Sequence, residues 1–171
     1  MAEDIGPGET SYNVYDRQVA SEAVKWLKDT ANKTEPWVLF VSLVAPHFPL
    51  IAPPKFYELY ENLQLMPSKQ KPEPEHPWHE AMRNCQLMDN FTLEKTEIAL
   101  KSYYALVSFI DELIGNILNT LKSLELEEST QIIYTSDHGD NIGERNLWGK
   151  SNFYEESIGI PLIIAGPNVP I

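Results

Sequence analysis

Several residue types that usually announce a mechanism are scarce in this chain. Cys85 is the only cysteine among 171 residues, so no intrachain disulfide can form and a cysteine-based zinc cluster is excluded. Basic residues are few: 13 Lys and Arg stand against 25 Asp and Glu, a net charge of -12. With no basic stripe to offset phosphates, nucleic acid and an anionic membrane surface are excluded as partners. No apolar run approaches the roughly 20 residues that span a bilayer. Met1-Ala-Glu-Asp4 also lacks the basic-then-apolar opening of a secretory signal, which leaves the compartment open. The acidity works against long-range attraction of an anionic substrate. A site for one must therefore rely on local cations: a metal ion, Lys150 and His47.

What is present suffices for one domain with a real core, since 43% of the residues are apolar. Met1 to Asn13, with Gly6-Pro-Gly8, reads as an irregular lead-in. Val19, Ala23, Trp26 and Leu27 recur at helical spacing and predict a helix over 15–31, followed by a break over 32–36. Trp37 to Val44 is an unbroken run of mostly β-branched, aliphatic and aromatic residues, predicted as a strand buried on both faces. It ends at Ala45-Pro-His-Phe-Pro49, whose prolines forbid helix. A short proline-started helix is expected over 53–60 and a proline-rich surface excursion over 67–78. Ile98, Leu106, Ile110, Leu113, Ile117 and Leu121 then mark a long helix over about 93–126. Gln131–Ser136 and Pro161–Ala165 are predicted as further strands. Strand, long helix, strand implies an α/β sheet with helices on its faces. Three strands are few around so long a helix, so the chain reads as a single partial domain, residues 1–171, with further strands expected before Met1.

The chemistry concentrates where Gln131-Ile-Ile-Tyr134 runs into Thr135-Ser-Asp-His-Gly-Asp140 and on to Trp148-Gly-Lys150. Neighbouring side chains of a strand point to opposite faces, but Gly139 permits a turn that lets Asp137 and His138 converge just past the strand end. In open α/β sheets that edge is where ligands bind. Taken alone, the pair reads first as a turn with Asp137 capping backbone amides, His47 as a loop histidine pinned between prolines, and Lys150 as a solvated lysine. Trp148 either lines the pocket or packs the loop. His76 and His79 are expected in an exposed loop, because the surrounding prolines disrupt the helix that would align them.

Together, three blocks carry a resemblance. Ser136-Asp-His-Gly-Asp140 with Gly143-Glu-Arg145, Leu147-Trp-Gly-Lys150 and Glu155 to Ile164 is similar to the metal-loop block of the sulfatase family, within the alkaline-phosphatase superfamily. Phe40-Val-Ser-Leu-Val-Ala-Pro-His-Phe-Pro49 resembles the block that supplies an active-site histidine, and Tyr103 to Gly115 resembles the long helix. The likeness is nearest in flavour to choline-sulfatase-like and phosphonate-monoester-hydrolase-like members, which carry Asp-His where many sulfatases carry Asp-Asn. It implies an alkaline-phosphatase-like fold with a mixed, mostly parallel sheet flanked by helices, of which this chain is the C-terminal portion of the catalytic domain. Asp137 and His138 would ligate a divalent metal, Ca²⁺ by family default, with Mg²⁺ or Mn²⁺ as alternatives. Lys150 would contact the sulfate ester, and His47 would hydrogen-bond it or protonate the leaving group. Asp140, Glu144 and Arg145 are expected to order the loop rather than touch substrate.

The family's nucleophile is a formylglycine made from Cys or Ser in a Cys/Ser-x-Pro/Ala-x-Arg motif. Cys85, followed by Gln-Leu-Met-Asp89, does not match it. The upstream Asp pair that completes the metal shell is also missing. The expected function is therefore part of a sulfuric ester hydrolase acting on a small-molecule sulfate ester, completed by the remainder of a parent chain and inactive as an isolated fragment. A phosphonate monoester or phosphodiester hydrolase on the same scaffold is the alternative, and a non-catalytic sulfatase-like module the other.

Overall fold

The computed structural model describes residues 1–31, 35–85 and 88–170. Strand β1 (Ile5–Pro7) leads into helix α1 (Ser11–Thr30), and the chain returns to strand β2 (Leu50–Ala52), which pairs parallel with β1. Short helices α2 (Pro54–Tyr57) and α3 (Pro77–Cys85) precede the 31-residue α4 (Leu93–Ser123). Strand β3 (Ile132–Thr135) follows, then a long loop, one turn of helix α5 (Glu155–Ile158), and strand β4 (Leu162–Ala165), antiparallel to β3.

Local chemistry sets the helix ends. Thr10 Oγ1 accepts the Asn13 amide at the start of α1, and Thr92 Oγ1 accepts the Lys95 amide at the start of α4. Along α4, Ala99, Leu106, Phe109, Ile110 and Leu113 are buried at helical spacing, and this stripe packs on α1, α2, β1 and β2. Its one fully buried hydroxyl, Ser102, accepts the Gly6 amide at 2.9 Å and donates to the Ile98 carbonyl at 2.9 Å, which pins β1 to the helix.

The α/β layering follows the sequence, but the first residues, the run 37–44 and His79 depart from expectation. The segment before Asn13 contains β1, because residues 5–7 find a parallel partner 45 positions away in β2, a pairing no local pattern reveals. The run 37–44 is extended but joins no ladder among the described residues: alternate side chains turn inward, while Val38 and Phe40 are 93% and 87% exposed. Strand β4 forms within the predicted span and is exposed throughout, since no described element covers its faces. Residues 32–34 of the predicted break lie outside the described residues. His79 stands in α3 rather than in a loop, because Pro77 occupies the first helical turn, where a missing N–H costs nothing.

Candidate active site

Two loops bring the predicted residues together. The first is the turn after the 37–44 run. The His47 amide donates to the Val44 carbonyl at 3.0 Å, and Asp16, fully buried on α1, accepts the amides of Val44 and Ala45 at 2.8 Å each. The second loop runs from Ser136 to Ser151. Asp140 Oδ1 accepts the Ile142 amide at 2.8 Å and the Gly149 amide at 3.0 Å, closing the loop across its neck. Ile142, Arg145, Asn146 and Ser151 all have positive φ, between 40° and 80°, an unfavourable backbone that only surrounding contacts can hold. Trp148 supplies one such contact: it is 2% exposed and stacks on Phe91 with ring centroids 4.2 Å apart. It packs the loop.

Where the loops meet, His47 Nε2 lies 2.8 Å from Lys150 Nζ, and the His47 and His138 rings stand 5.9 Å apart, edge to face. His47 Nδ1 is 2.8 Å from the Phe48 carbonyl. A carbonyl only accepts, so Nδ1 carries the proton and Nε2 presents a lone pair to the lysine. His138 repeats the arrangement: Nδ1 donates to the Gly139 carbonyl at 2.8 Å, which frees Nε2 to face the Asp137 carboxylate at 3.6 Å. A cavity of ≈ 180 Å³ opens here, lined by His47, Phe48, Asp140, Gly149, Lys150 and Ser151, with Met1 at its side. A larger hollow of ≈ 430 Å³ between α1 and residues 39–41 is lined by Tyr15, Trp26 and Phe40 and holds no imidazole or cation. Of the two, the smaller is the one lined by an imidazole and an ammonium.

Asp137 and His138 suit two positions of a divalent cation. At 3.6 Å the pair is too far apart for a direct hydrogen bond, and the second imidazole nitrogen is committed to a carbonyl, as in most metal-bound histidines. The slight burial of the Asp137 carboxyl acts to raise its pKa, but the His138 charge, backbone amides and Lys150 outweigh it and hold it below the ordinary value. Among the described residues no group of three His, Cys, Asp or Glu side chains converges.

A belt of charged contacts ties the excursion before α3 to this loop. Glu144 accepts the amides of Ser68 and Lys69, at 2.9 and 2.5 Å, and the Arg145 amide donates to the Lys69 carbonyl at 2.9 Å. Glu156 pairs with Lys69 and with Arg145, the latter at 2.8 Å. Glu144 and Arg145 thus order the loop. Arg83, 7% exposed, donates to the Arg145 and Asn146 carbonyls and pairs with Glu75. It gave no sequence signal, because its acceptors are backbone atoms some sixty positions away. Cys85 is exposed.

This constellation can be set beside known proteins. A profile of the sulfatase family matches residues 2–170. The chain belongs to the sulfatase family. It is 35% identical to the choline-sulfatase of Rhizobium meliloti over 94% of this chain and 33% of that one. It is 30% identical to the iduronate 2-sulfatase of Homo sapiens over 89% of this chain and 30% of that one. Among solved structures, a phosphonate monoester hydrolase from Silicibacter pomeroyi superposes with a TM-score of 0.78 at 25% identity, covering 87% of this chain and 32% of the other. The sulfatase chain described here thus spans about a third of the length of the curated relatives it matches. Its fold is alkaline-phosphatase-like, a partial domain in which helices accompany two short two-stranded sheets, β1–β2 parallel and β3–β4 antiparallel.

Proposed function

We propose that this sulfatase chain carries part of the active site of a sulfuric ester hydrolase, the C-terminal portion of its catalytic domain, with the formylglycine nucleophile and remaining metal ligands supplied by other segments of a longer protein. The observation that carries the reading is the 2.8 Å contact between His47 Nε2 and Lys150 Nζ, beside the convergent Asp137–His138 pair. Lys150 would hold positive charge against the ester oxygens, where charge develops as the bond to the leaving oxygen breaks. Lys150 Nζ would donate to His47 Nε2, placing a proton where it can reach that leaving oxygen. Asp137 and His138 would hold the divalent cation, Ca²⁺ in this reading or Mg²⁺ or Mn²⁺, which supplies Lewis acidity to the sulfate oxygens.

The 171-residue chain on its own is expected to bind metal weakly and to cleave no sulfate ester. Hydrolysis of 4-nitrophenyl sulfate by the full-length gene product, with and without EDTA, tests the reading. Metal-dependent turnover is expected, and EDTA-insensitive turnover or none at all refutes it. One second reading has support of its own: the similarity to a phosphonate monoester hydrolase structure. Sulfate and phosphonate esters are both tetrahedral anions, so faster turnover of an aryl phosphonate than of the aryl sulfate would select it.

A further inference from the structure

His47 is exposed, so side-chain packing does little to hold a ring whose reach decides whether it meets a leaving group. Its place is set through the backbone, and the backbone of its turn is gripped from one helix. Asp16 has no solvent exposure, enters no ion pair among the described residues, and directs both carboxylate oxygens at successive amides, Val44 and Ala45, at 2.8 Å. One helical turn earlier, Asn13, 2% exposed, donates from Nδ2 to the Ile51 carbonyl at 3.2 Å, with its Oδ1 accepting from the Thr10 hydroxyl at 2.7 Å. Helix α1 therefore holds the segment bearing His47 at its entry and at its exit. A buried carboxylate without a cation is costly, and an apolar residue would fill the same space more favourably if packing were its whole task. What the carboxylate adds is two charge-assisted hydrogen bonds of fixed direction.

We propose that Asp16, assisted by Asn13, is a positioning residue for His47. The inference rests on the reading that His47 serves the leaving group. Asp16→Asn in the full-length gene product keeps the shape but turns an NH₂ toward a backbone N–H. The expected effect is a loss of about 10- to 100-fold in kcat, the scale of an ångström-sized misplacement, with KM little changed. The loss is larger for phenyl sulfate, a poor leaving group, than for 4-nitrophenyl sulfate, and Asp16→Asn added to His47→Gln costs little beyond His47→Gln alone. A loss equal for both esters and fully additive with His47→Gln overturns the proposal.

Two measurements stand apart from turnover. Hydrogen exchange followed by mass spectrometry on the wild-type peptide spanning residues 41–48 is expected to show protected Val44 and Ala45 amides, although they lie outside any ladder; free exchange there overturns the clamp even if Asp16→Asn does not fold. Carbethoxylation of His47 is expected to change rate in Asp16→Asn, and an unchanged rate counts against the clamp. A wild type that cleaves neither ester sinks the functional reading alone, and exchange and carbethoxylation then decide the clamp.

Discussion

Gly139→Ala tests whether the Asp137–His138 turn is as tightly fixed as its contacts imply. The Gly139 amide donates to the Ser157 carbonyl at 2.8 Å, seating the turn against α5. A Cβ at position 139 would lie 2.1 Å from the Glu156 carbonyl oxygen, 3.0 Å from its carbon and 3.1 Å from the Gly159 carbonyl oxygen. Carbon–oxygen contacts seldom close below about 3.3 Å, so the two segments must part by roughly 1 Å. These are backbone atoms with no rotamer in which to escape. Overpacking of this kind costs about 1–3 kcal/mol, and loss of the Ser157 hydrogen bond adds about 1 kcal/mol. His138, the adjacent residue, moves with the turn, and a shift of about 1 Å at a reacting site costs on the order of 10²-fold in rate. Calorimetric titration with Mn²⁺, thermal unfolding and ester hydrolysis on the full-length gene product read the three effects. Wild-type metal affinity together with a wild-type Tm in Gly139→Ala refutes the reasoning.

Lys150→Met is expected to lower kcat/KM for 4-nitrophenyl sulfate by about 10²–10³ with an unchanged circular dichroism spectrum; retention of more than about a third of the activity contradicts the assignment. Burial by itself would raise the Glu156 carboxyl, but the Lys69 ammonium, a backbone amide and the Arg145 guanidinium bring it down to about 2 from 4.5. Its folded value lies below its unfolded one, so its contribution is complete above about pH 4.5 and is lost as pH falls toward 2. The shift corresponds to at most about 3 kcal/mol, and solvent at the rim reduces this to about 1–2 kcal/mol. Urea midpoints of wild type and Glu156→Gln should therefore converge between pH 6 and pH 3, and parallel curves contradict this. Ser102→Ala leaves the Gly6 amide without its partner and is expected to cost about 1–3 kcal/mol, measured by urea unfolding; an unchanged midpoint shows that the bond to β1 contributes nothing.

What was legible in the sequence is what local chemistry determines. Helices α1 and α4 fall within a few residues of their predicted spans because their apolar stripes lie in the chain itself, although α1 begins earlier, at the Thr10 cap inside the stretch read as an irregular lead-in. His47, Asp137, His138 and Lys150 stand in short blocks rich in proline and glycine, whose residue order is enough to suggest what they do together. The contacts that hold those blocks were not legible. Asp16 reads as one more acidic residue on an amphipathic helix, and nothing near it names the amides 28 and 29 positions away that it accepts. Arg83 and Glu75 are equally silent. Strand β1 escaped for the same reason, since three residues with glycine and proline among them become a strand only when β2 lies alongside. The run 37–44 misled in the opposite sense: its composition suits a strand, but a ladder requires partners as well as propensity.

The bare ribbon of β3 and β4 has a practical consequence. Ile133, Leu162, Ile163 and Ile164 are 63%, 67%, 58% and 44% exposed, and the β-branched stretch they belong to contains no charge that would discourage stacking with its like. A preparation of these 171 residues alone is therefore expected to self-associate as its concentration rises. Placing a lysine at position 163, mid-ribbon, is the simplest way to keep it monodisperse.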